Sequence, residues 1–276
     1  MSVIEQMLSR HDSSDDQSRH LAVREVMQEI ALAGLQRGGF FDQAAFYGGT
    51  CLRIFHGLPR FSEDLDFSLL APSAEFSLEP YFRALQDEFS ALGVEVSIAA
   101  KKKVNDSAVE SAFLKEATGR YSLQVRGMRP IKIKVEVDTD PPLAFQTEEK
   151  LLLQPYSFYV KCFSLPDLFA GKMHALLFRR WRNRVKGRDW YDFEWYVRHG
   201  HPVSLEHFAA RATQSGDLSQ PRISADELQR LLSERIESVD FESAKEDIAR
   251  FVPDQRVLDI WSRDYFHQLC SHLKTQ

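Results

Sequence analysis

The sequence predicts an α+β domain followed by an all-helical C-terminal domain, and three observations carry that prediction. Short segments of alternating apolar and polar residues, separated by polar turns, recur between residues 47 and 138. Apolar stripes at helical spacing lie between these segments, and from Ser164 onward only helical spacing is found. At 276 residues the chain has room for one large core, or for a catalytic domain with a helical extension. The expected division is a short N-terminal helix and connector over residues 1–19, an α+β domain over 20–163 and a helical domain over 164–276.

Residues 10–18, RHDSSDDQS, are polar and aperiodic and read as a connector after the first helix. From His20 to Gln36 the residues Val23, Val26, Met27, Ile30 and Gly34 share one helical face, and Gly38 and Gly39 stop the helix. Tyr47 closes a short apolar run that reads as a strand. Gly48 and Gly49 then allow a sharp turn and a close backbone approach to a ligand. Thr50 is expected to start a helix whose exposed amides and dipole suit a phosphate. In Asp64, Leu65, Asp66, Phe67, Ser68 and Leu69 the alternation is that of a half-buried strand. Asp64 and Asp66 therefore project side by side, where two like charges repel unless a cation lies between them. Hard oxygen ligands of this kind suit Mg2+ or Mn2+, arriving with the phosphates of a nucleotide. The same spacing also occurs on plain solvated strands.

Leu78, Phe82, Leu85, Phe89 and Leu92 repeat at helical spacing and read as core. Residues 94–99, 109–117, 121–125 and 131–138 read as strands, and Lys101, Lys102 and Lys103 as an exposed turn. In the last strand Ile131, Ile133, Val135 and Val137 face one way, leaving Lys132, Lys134, Glu136 and Asp138 on the other. Ser164 with Asp167 resembles a capping box, with Pro166 tolerated in the first turn. Leu168, Phe169, Met173, Leu176 and Leu177 form the buried stripe of the helix that carries Lys172. Arg179, Arg180, Arg182, Arg184, Lys186 and Arg188 then place six positive charges in ten residues, suited to an RNA backbone or a triphosphate, or else to a solvated loop. Asp189, Asp192 and Tyr196 are spaced to share one helix face, and Asp189 serves equally as an N-cap. Residues 204–274 give three or four further helices, with a capping box from Ser224 to Glu227 and a stripe of Val257, Trp261, Tyr265 and Leu269.

A glycine turn, a helix and a strand bearing D-x-D is the arrangement used by polymerase beta-like nucleotidyltransferases. G-G-T-x-L-R followed by G-L-P-R-F-S-E-D-L-D-F is more closely similar to the AbiEii/AbiGii nucleotidyltransferase toxins, the toxin half of AbiE-type (type IV) toxin-antitoxin pairs. D-L-F-A-G-K, from Asp167 to Lys172, resembles that family's D-x4-K motif, and R-D-W-Y-D-F, from Arg188, resembles its late R-D-x-x-D element. The resemblance implies a mixed sheet flanked by helices, with Asp64 and Asp66 as catalytic, metal-holding carboxylates. It implies a third metal carboxylate on a neighbouring strand, for which mid-strand Glu136 is the better choice over Asp138, near the turn at Pro141 and Pro142. Lys172 would contact the triphosphate or the transferred phosphoryl group. Asp192, the stronger choice over Asp189, would orient Lys172 or act as a base toward the attacking hydroxyl. Gly48, Gly49, Thr50, Arg60, Ser62, Arg188 and Asp189 would bind substrate. The implied cofactor is Mg2+ (or Mn2+), the donor an NTP, the acceptor RNA, with the tRNA 3' end foremost, and the partner a cognate antitoxin acting without an obligate stable complex. The setting would be phage defence. Transfer to a protein or small-molecule hydroxyl, or nucleotide binding without turnover, stand as alternatives.

A formal charge of -5, with 43% hydrophobic and 27% charged residues, argues against a dedicated nucleic-acid coat and leaves room for a local basic site. Cys51, Cys162 and Cys270 are widely separated, lack metal-ligand spacing and read as reduced thiols, Cys51 as packing. The nine histidines show no zinc spacing. The N-terminus lacks the regions of a signal peptide and no apolar run approaches a membrane span, so a cytoplasmic protein is expected.

Overall fold

A computed structural model describes residues 1–11, 15–100, 118–125, 131–179 and 185–276. The chain forms two compact units. The first comprises Met1–Gly57, Phe61–Pro141 and Thr147–Cys162; the second comprises Leu58–Arg60, Pro142–Gln146 and Phe163–Gln276.

The first unit contains strands β1 (Ala44–Tyr47), β2 (Asp64–Leu69), β3 (Val96–Ala100), β4 (Thr118–Val125), β5 (Ile131–Asp138), β6 (Thr147–Leu152) and β7 (Phe158–Phe163). They form a seven-stranded mixed sheet in the order β3-β4-β5-β2-β1-β7-β6. β2 runs parallel to β5 and antiparallel to β1, which puts the expected carboxylate strand at the middle of the sheet. Its helices are α1 (Val3–Leu8), α2 (Asp16–Arg37), α3 (Gly48–His56) and α4 (Phe82–Ala91).

The expected alternation is realised along β5 and in the first half of β2, while Ser68, on the polar face of β2, is buried as well. Leu65, Phe67 and Leu69, with Ile131, Ile133, Val135 and Val137, are all buried. Each fully buried side chain of this size contributes about 1.5–3 kcal/mol, and a one-residue slip would turn all of them toward water, so the register is strongly specified. Phe67 is also fixed by ring contacts with Phe40 (4.9 Å between centroids) and Phe46 (5.1 Å), which holds the residue next to Asp66 in place.

Several elements differ from the sequence expectation. α2 begins at Asp16 instead of His20 because the Asp15 carboxylate caps it, accepting the amides of Gln17 and Ser18. Residues 25–35 of α2 are buried on every side, with Glu25 paired to Arg53 (2.9 Å) and Glu29 to Arg10 (2.6 Å). Single-face periodicity is blind to polar residues that are buried in pairs. The Leu78–Leu92 stripe starts as a 3-10 turn, Glu79–Tyr81, around Pro80 and only then becomes α4; Leu78, Leu85 and Phe89 are buried. The strand expected over 94–99 is β3, and the one over 121–125 extends back to Thr118. The expected strand at 109–117 and the Lys101, Lys102 and Lys103 turn lie outside the described residues.

The second unit is built from α5 (Leu165–Phe178), α6 (Gly187–Arg198), α7 (Leu205–Gln214), α8 (Ala225–Glu237), α9 (Phe241–Ile248) and α10 (Arg263–Ser271), with a short parallel pair β8 (Pro202–Val203) and β9 (Lys274–Thr275). Aromatic packing anchors α6: Phe169 stacks on Tyr196 at 4.1 Å, and Trp190 meets Phe241 at 5.2 Å and Phe266 at 5.0 Å. The capping box expected at Ser164 does not form. Its hydroxyl instead donates to the Asp167 carboxylate (2.6 Å), which also accepts the Gln146 amide (2.8 Å). Ser224 does cap α8, accepting the Glu227 amide at 3.2 Å. The stripe expected from Val257 is broken: Val257 is 40% exposed in a 3-10 turn, and α10 starts only after its Ser262 cap. Among the described residues no helix is long and apolar enough to cross a membrane.

The core of this unit predicts an acid sensitivity. His207 is fully buried, edge-on to Phe145 and Phe163, and burial, reinforced by nearby Arg211, pushes its imidazole down to about 3. Burial likewise pushes His174 to about 4, again helped by Arg211. A folded-state value below the unfolded one means that the unfolded chain takes up the proton first as pH falls. Stability is therefore full above pH 6.5 and decreases below it, by up to about 1.4 kcal/mol per pH unit for each histidine. Denaturant midpoints at pH 7.5, 6.5, 5.5 and 5.0 should fall progressively below pH 6.5; a flat series would contradict the buried neutral pair.

Candidate active site

In the first unit, the expected site begins where β1 ends, with Tyr47 in register with Asp66. Helix α3 starts at Gly48, two residues earlier than expected, because Gly48 adopts φ +83°, a left-handed conformation that redirects the chain into the helix. A Cβ at Gly48 would lie 2.5 Å from Oδ2 and 3.1 Å from Cβ of Asp66, so a side chain at this left-handed position would have to displace the Asp66 carboxylate. No side chain caps the first turn of α3. The Thr50 hydroxyl, expected at phosphate, is buried and donates to the Asp64 backbone carbonyl, tying α3 to β2.

Asp64 and Asp66 sit half-buried on one face of β2, opposite Lys134 and Glu136 of β5 respectively. Asp138 stands opposite Ser68 and its carboxylate accepts the Asp140 amide at 3.2 Å, so of the two choices for a third carboxylate it is Glu136 that neighbours Asp66. Glu136 meets the Lys134 ammonium at 2.7 Å. Among the described residues no three His, Cys, Asp or Glu side chains converge as a ready metal set. Strand carboxylates of this kind fit a hard divalent cation that draws its remaining oxygens from water and phosphate. The segment leading into β2 is fixed to α2, by Glu63 on Arg24 (2.7 Å) and by the Ser62 carbonyl on Gln28 Nε2 (3.2 Å). That places the Ser62 backbone, at least, in a structural tie.

These contacts make Gly48→Ala informative. Left-handed backbone costs an L side chain about 1–2 kcal/mol, and the new methyl must displace the Asp66 carboxylate. If Asp66 holds the cation as the resemblance implies, a misplacement of about 1 Å there costs about 10²-fold. Nucleotidyl transfer by Gly48→Ala should fall about 10²-fold, with a modest drop in melting temperature. Wild-type turnover would contradict the role given to this approach.

In the second unit, Lys172 of α5 reaches the Asp192 carboxylate of α6 at 2.7 Å and lies 3.8 Å from Asp189. Arg60 donates through Nε to Asp192 Oδ1 and through Nη2 to Oδ2, both at 2.6 Å. The Asp192 side chain is 0% exposed and that of Arg60 is 2% exposed. Burial alone would raise the Asp192 carboxyl, but the Arg60 guanidinium and the Lys172 ammonium more than reverse this and hold it below the usual carboxylate range. Asp189 is not an N-cap: Lys186 occupies that position and Asp189 lies inside the first turn of α6. The Arg188 guanidinium packs over the Phe251 ring at 4.5 Å. Of the basic segment, Arg180, Arg182 and Arg184 lie outside the described residues. The ion pair of Arg60 with Asp192 joins residues 132 positions apart, so local spacing holds no signal for it.

A mixed sheet with two carboxylates on its central strand and a glycine turn packed against them has the form of a nucleotidyltransferase domain. The chain belongs to the AbiEii nucleotidyl transferase toxin family of type IV toxin-antitoxin systems, whose model matches residues 30–267, and it is a nucleotidyltransferase on that ground. Among solved structures it is similar to MenT4, a nucleotidyltransferase toxin from Mycobacterium tuberculosis, at 17% identity and a TM-score of 0.52 over 98% of this chain and 99% of that one. It is also similar to the Helicobacter pylori protein JHP933, at 18% identity and a TM-score of 0.52 over 94% and 90% of the two chains. At these identities the likeness is one of fold. No curated protein matches the sequence.

Proposed function

We propose that the protein transfers a nucleoside monophosphate from an NTP to RNA, with the tRNA 3' end as acceptor. It would act in the cytoplasm as the toxin of a pair whose antitoxin works without an obligate stable complex, in phage defence. The observation that carries this reading is the pair Asp64 and Asp66 on one half-buried face, with Gly48 packed so closely that a Cβ there would meet the Asp66 carboxylate. Residues 20–163 would supply the carboxylates and the phosphate-binding turn, and residues 164–276 the lysine and its aspartates.

In the reaction the acceptor hydroxyl oxygen bonds to the α-phosphorus. The bond from that phosphorus to the bridging oxygen breaks, and pyrophosphate leaves while the hydroxyl proton is released. Asp64 and Asp66, with Glu136 as the third carboxylate, would hold Mg2+ (or Mn2+). When bound, such a cation neutralises phosphate charge as the leaving group departs. Backbone amides at Gly48 and Gly49 bind phosphate oxygens at the start of α3. Thr50 holds the Asp64 backbone, and Lys172 neutralises the phosphoryl oxygens as a point charge. The basic segment that includes Arg179, Lys186 and Arg188, with Asp189, would position the acceptor.

Purified protein incubated with Mg2+, total tRNA and each α-labelled NTP in turn should label RNA. The same tRNA with its 3' diol oxidised by periodate should stay unlabelled. Label in neither RNA would overturn the tRNA acceptor. Pyrophosphate release in the same tubes would then point to a protein or small-molecule hydroxyl, and its absence to nucleotide binding without turnover.

A further inference from the structure

Arg60 lies four positions before Asp64 in the sequence, within the run that would contact substrate by resemblance. Its side chain has no surface to offer for that. It is 2% exposed, and two of its nitrogens form a parallel fork on the two oxygens of Asp192. The segment Leu58–Arg60 belongs to the helical unit, as do α5 and α6, so the fork is internal to that unit. Asp192 accepts from Arg60 on each oxygen and from Lys172 on Oδ2, and it is 0% exposed, so neither oxygen is open to the hydroxyl of an approaching macromolecule. A carboxylate so placed has lost its water and gained two cations. What it can do chemically is hold a charge in a fixed position.

We propose that Arg60 is a positioning residue: its guanidinium clamps Asp192, and Asp192 in turn fixes the Lys172 ammonium for the transferred phosphoryl group, without itself taking the acceptor's proton. The planar fork sets both the rotation and the position of the carboxylate, which a single point contact does not do. Lys172 has four rotatable bonds, and its side chain is 18% exposed. Without a fixed partner, its ammonium would lose the geometry that electrostatic stabilisation of a transition state requires. The inference rests on the proposed role of Lys172 in nucleotidyl transfer.

The test is a double-mutant cycle on pyrophosphate release, with kcat and KM for the NTP measured separately. Arg60→Lys keeps the charge and removes the fork; Arg60→Met removes both and serves as a second variant if it folds. Lys172→Met is measured alone and with Arg60→Lys. The expected result is a kcat loss of about 10-fold or more in Arg60→Lys, with KM within about 3-fold of wild type. The double variant should be no slower than Lys172→Met alone, because Arg60 acts only through Lys172. Losses that multiply, or a change confined to KM, would overturn the positioning role, the latter by returning Arg60 to direct substrate contact. An unchanged kcat in Arg60→Lys would also overturn it. Wild-type kcat in Lys172→Met would instead refute the proposed role of the lysine, an outcome visible in that variant alone.

Discussion

Replacing Asp64 and Asp66 together by asparagine is expected to lower nucleotidyl transfer by about 10³-fold or more, because Lewis-acid stabilisation at phosphate is worth several kcal/mol and each 1.36 kcal/mol is tenfold. Asparagine keeps the size and the strand position of each side chain. Both sites are half-buried at the surface of β2, and the apolar face beneath them is untouched. The fold should therefore persist, since the substitutions keep each side chain's size and make no cavity. Transfer rates and melting temperature measured on the same preparation separate the two effects. A variant that is folded and within tenfold of wild type in rate would remove Asp64 and Asp66 from the chemistry.

Gly187→Ala should give the largest loss of stability. Gly187 opens α6, and a Cβ there would lie 1.9 Å from the Ala244 carbonyl oxygen of α9 and 2.9 Å from its carbon. The obstacle is backbone, so no side chain can rotate away, and α6 and α9 must separate. Overpacking of this kind costs about 3 kcal/mol at the upper end of the usual range. For a chain of this length that corresponds to a melting temperature lower by about 6–12 °C. Because α6 carries Asp189 and Asp192, kcat should fall with it. An unchanged melting temperature would contradict the tight packing of the two helices.

The parts of this account that were legible in the sequence are those in which one face of an element is buried. β2 and β5 alternate in sequence, which fixes the face each side chain takes; that Asp66 stands opposite Glu136 is a cross-strand register that only the fold supplies. The D-x-D, D-x4-K and R-D-x-x-D runs were legible as motifs because each is local. What was hidden is non-local or depends on polar pairing. α2 buries Glu25 and Glu29 through arginines from other segments, which defeats a search for one apolar face. Thr50 meets a backbone carbonyl fourteen positions away, a partner that residue type does not reveal. Arg60 sits in a motif that suggests ligand contact and is instead consumed by Asp192. The Val257 stripe had the right spacing, but a 3-10 turn and a serine cap interrupt it.

The most direct test of the central claim uses an NTP labelled at the α-phosphate in one reaction and at the γ-phosphate in another, with protein, Mg2+ and tRNA otherwise identical. Nucleotidyl transfer predicts α-label in the RNA and an equal amount of γ-label in pyrophosphate. γ-label on the RNA would mean phosphoryl transfer, and label in free phosphate alone would mean hydrolysis; either result would contradict the account.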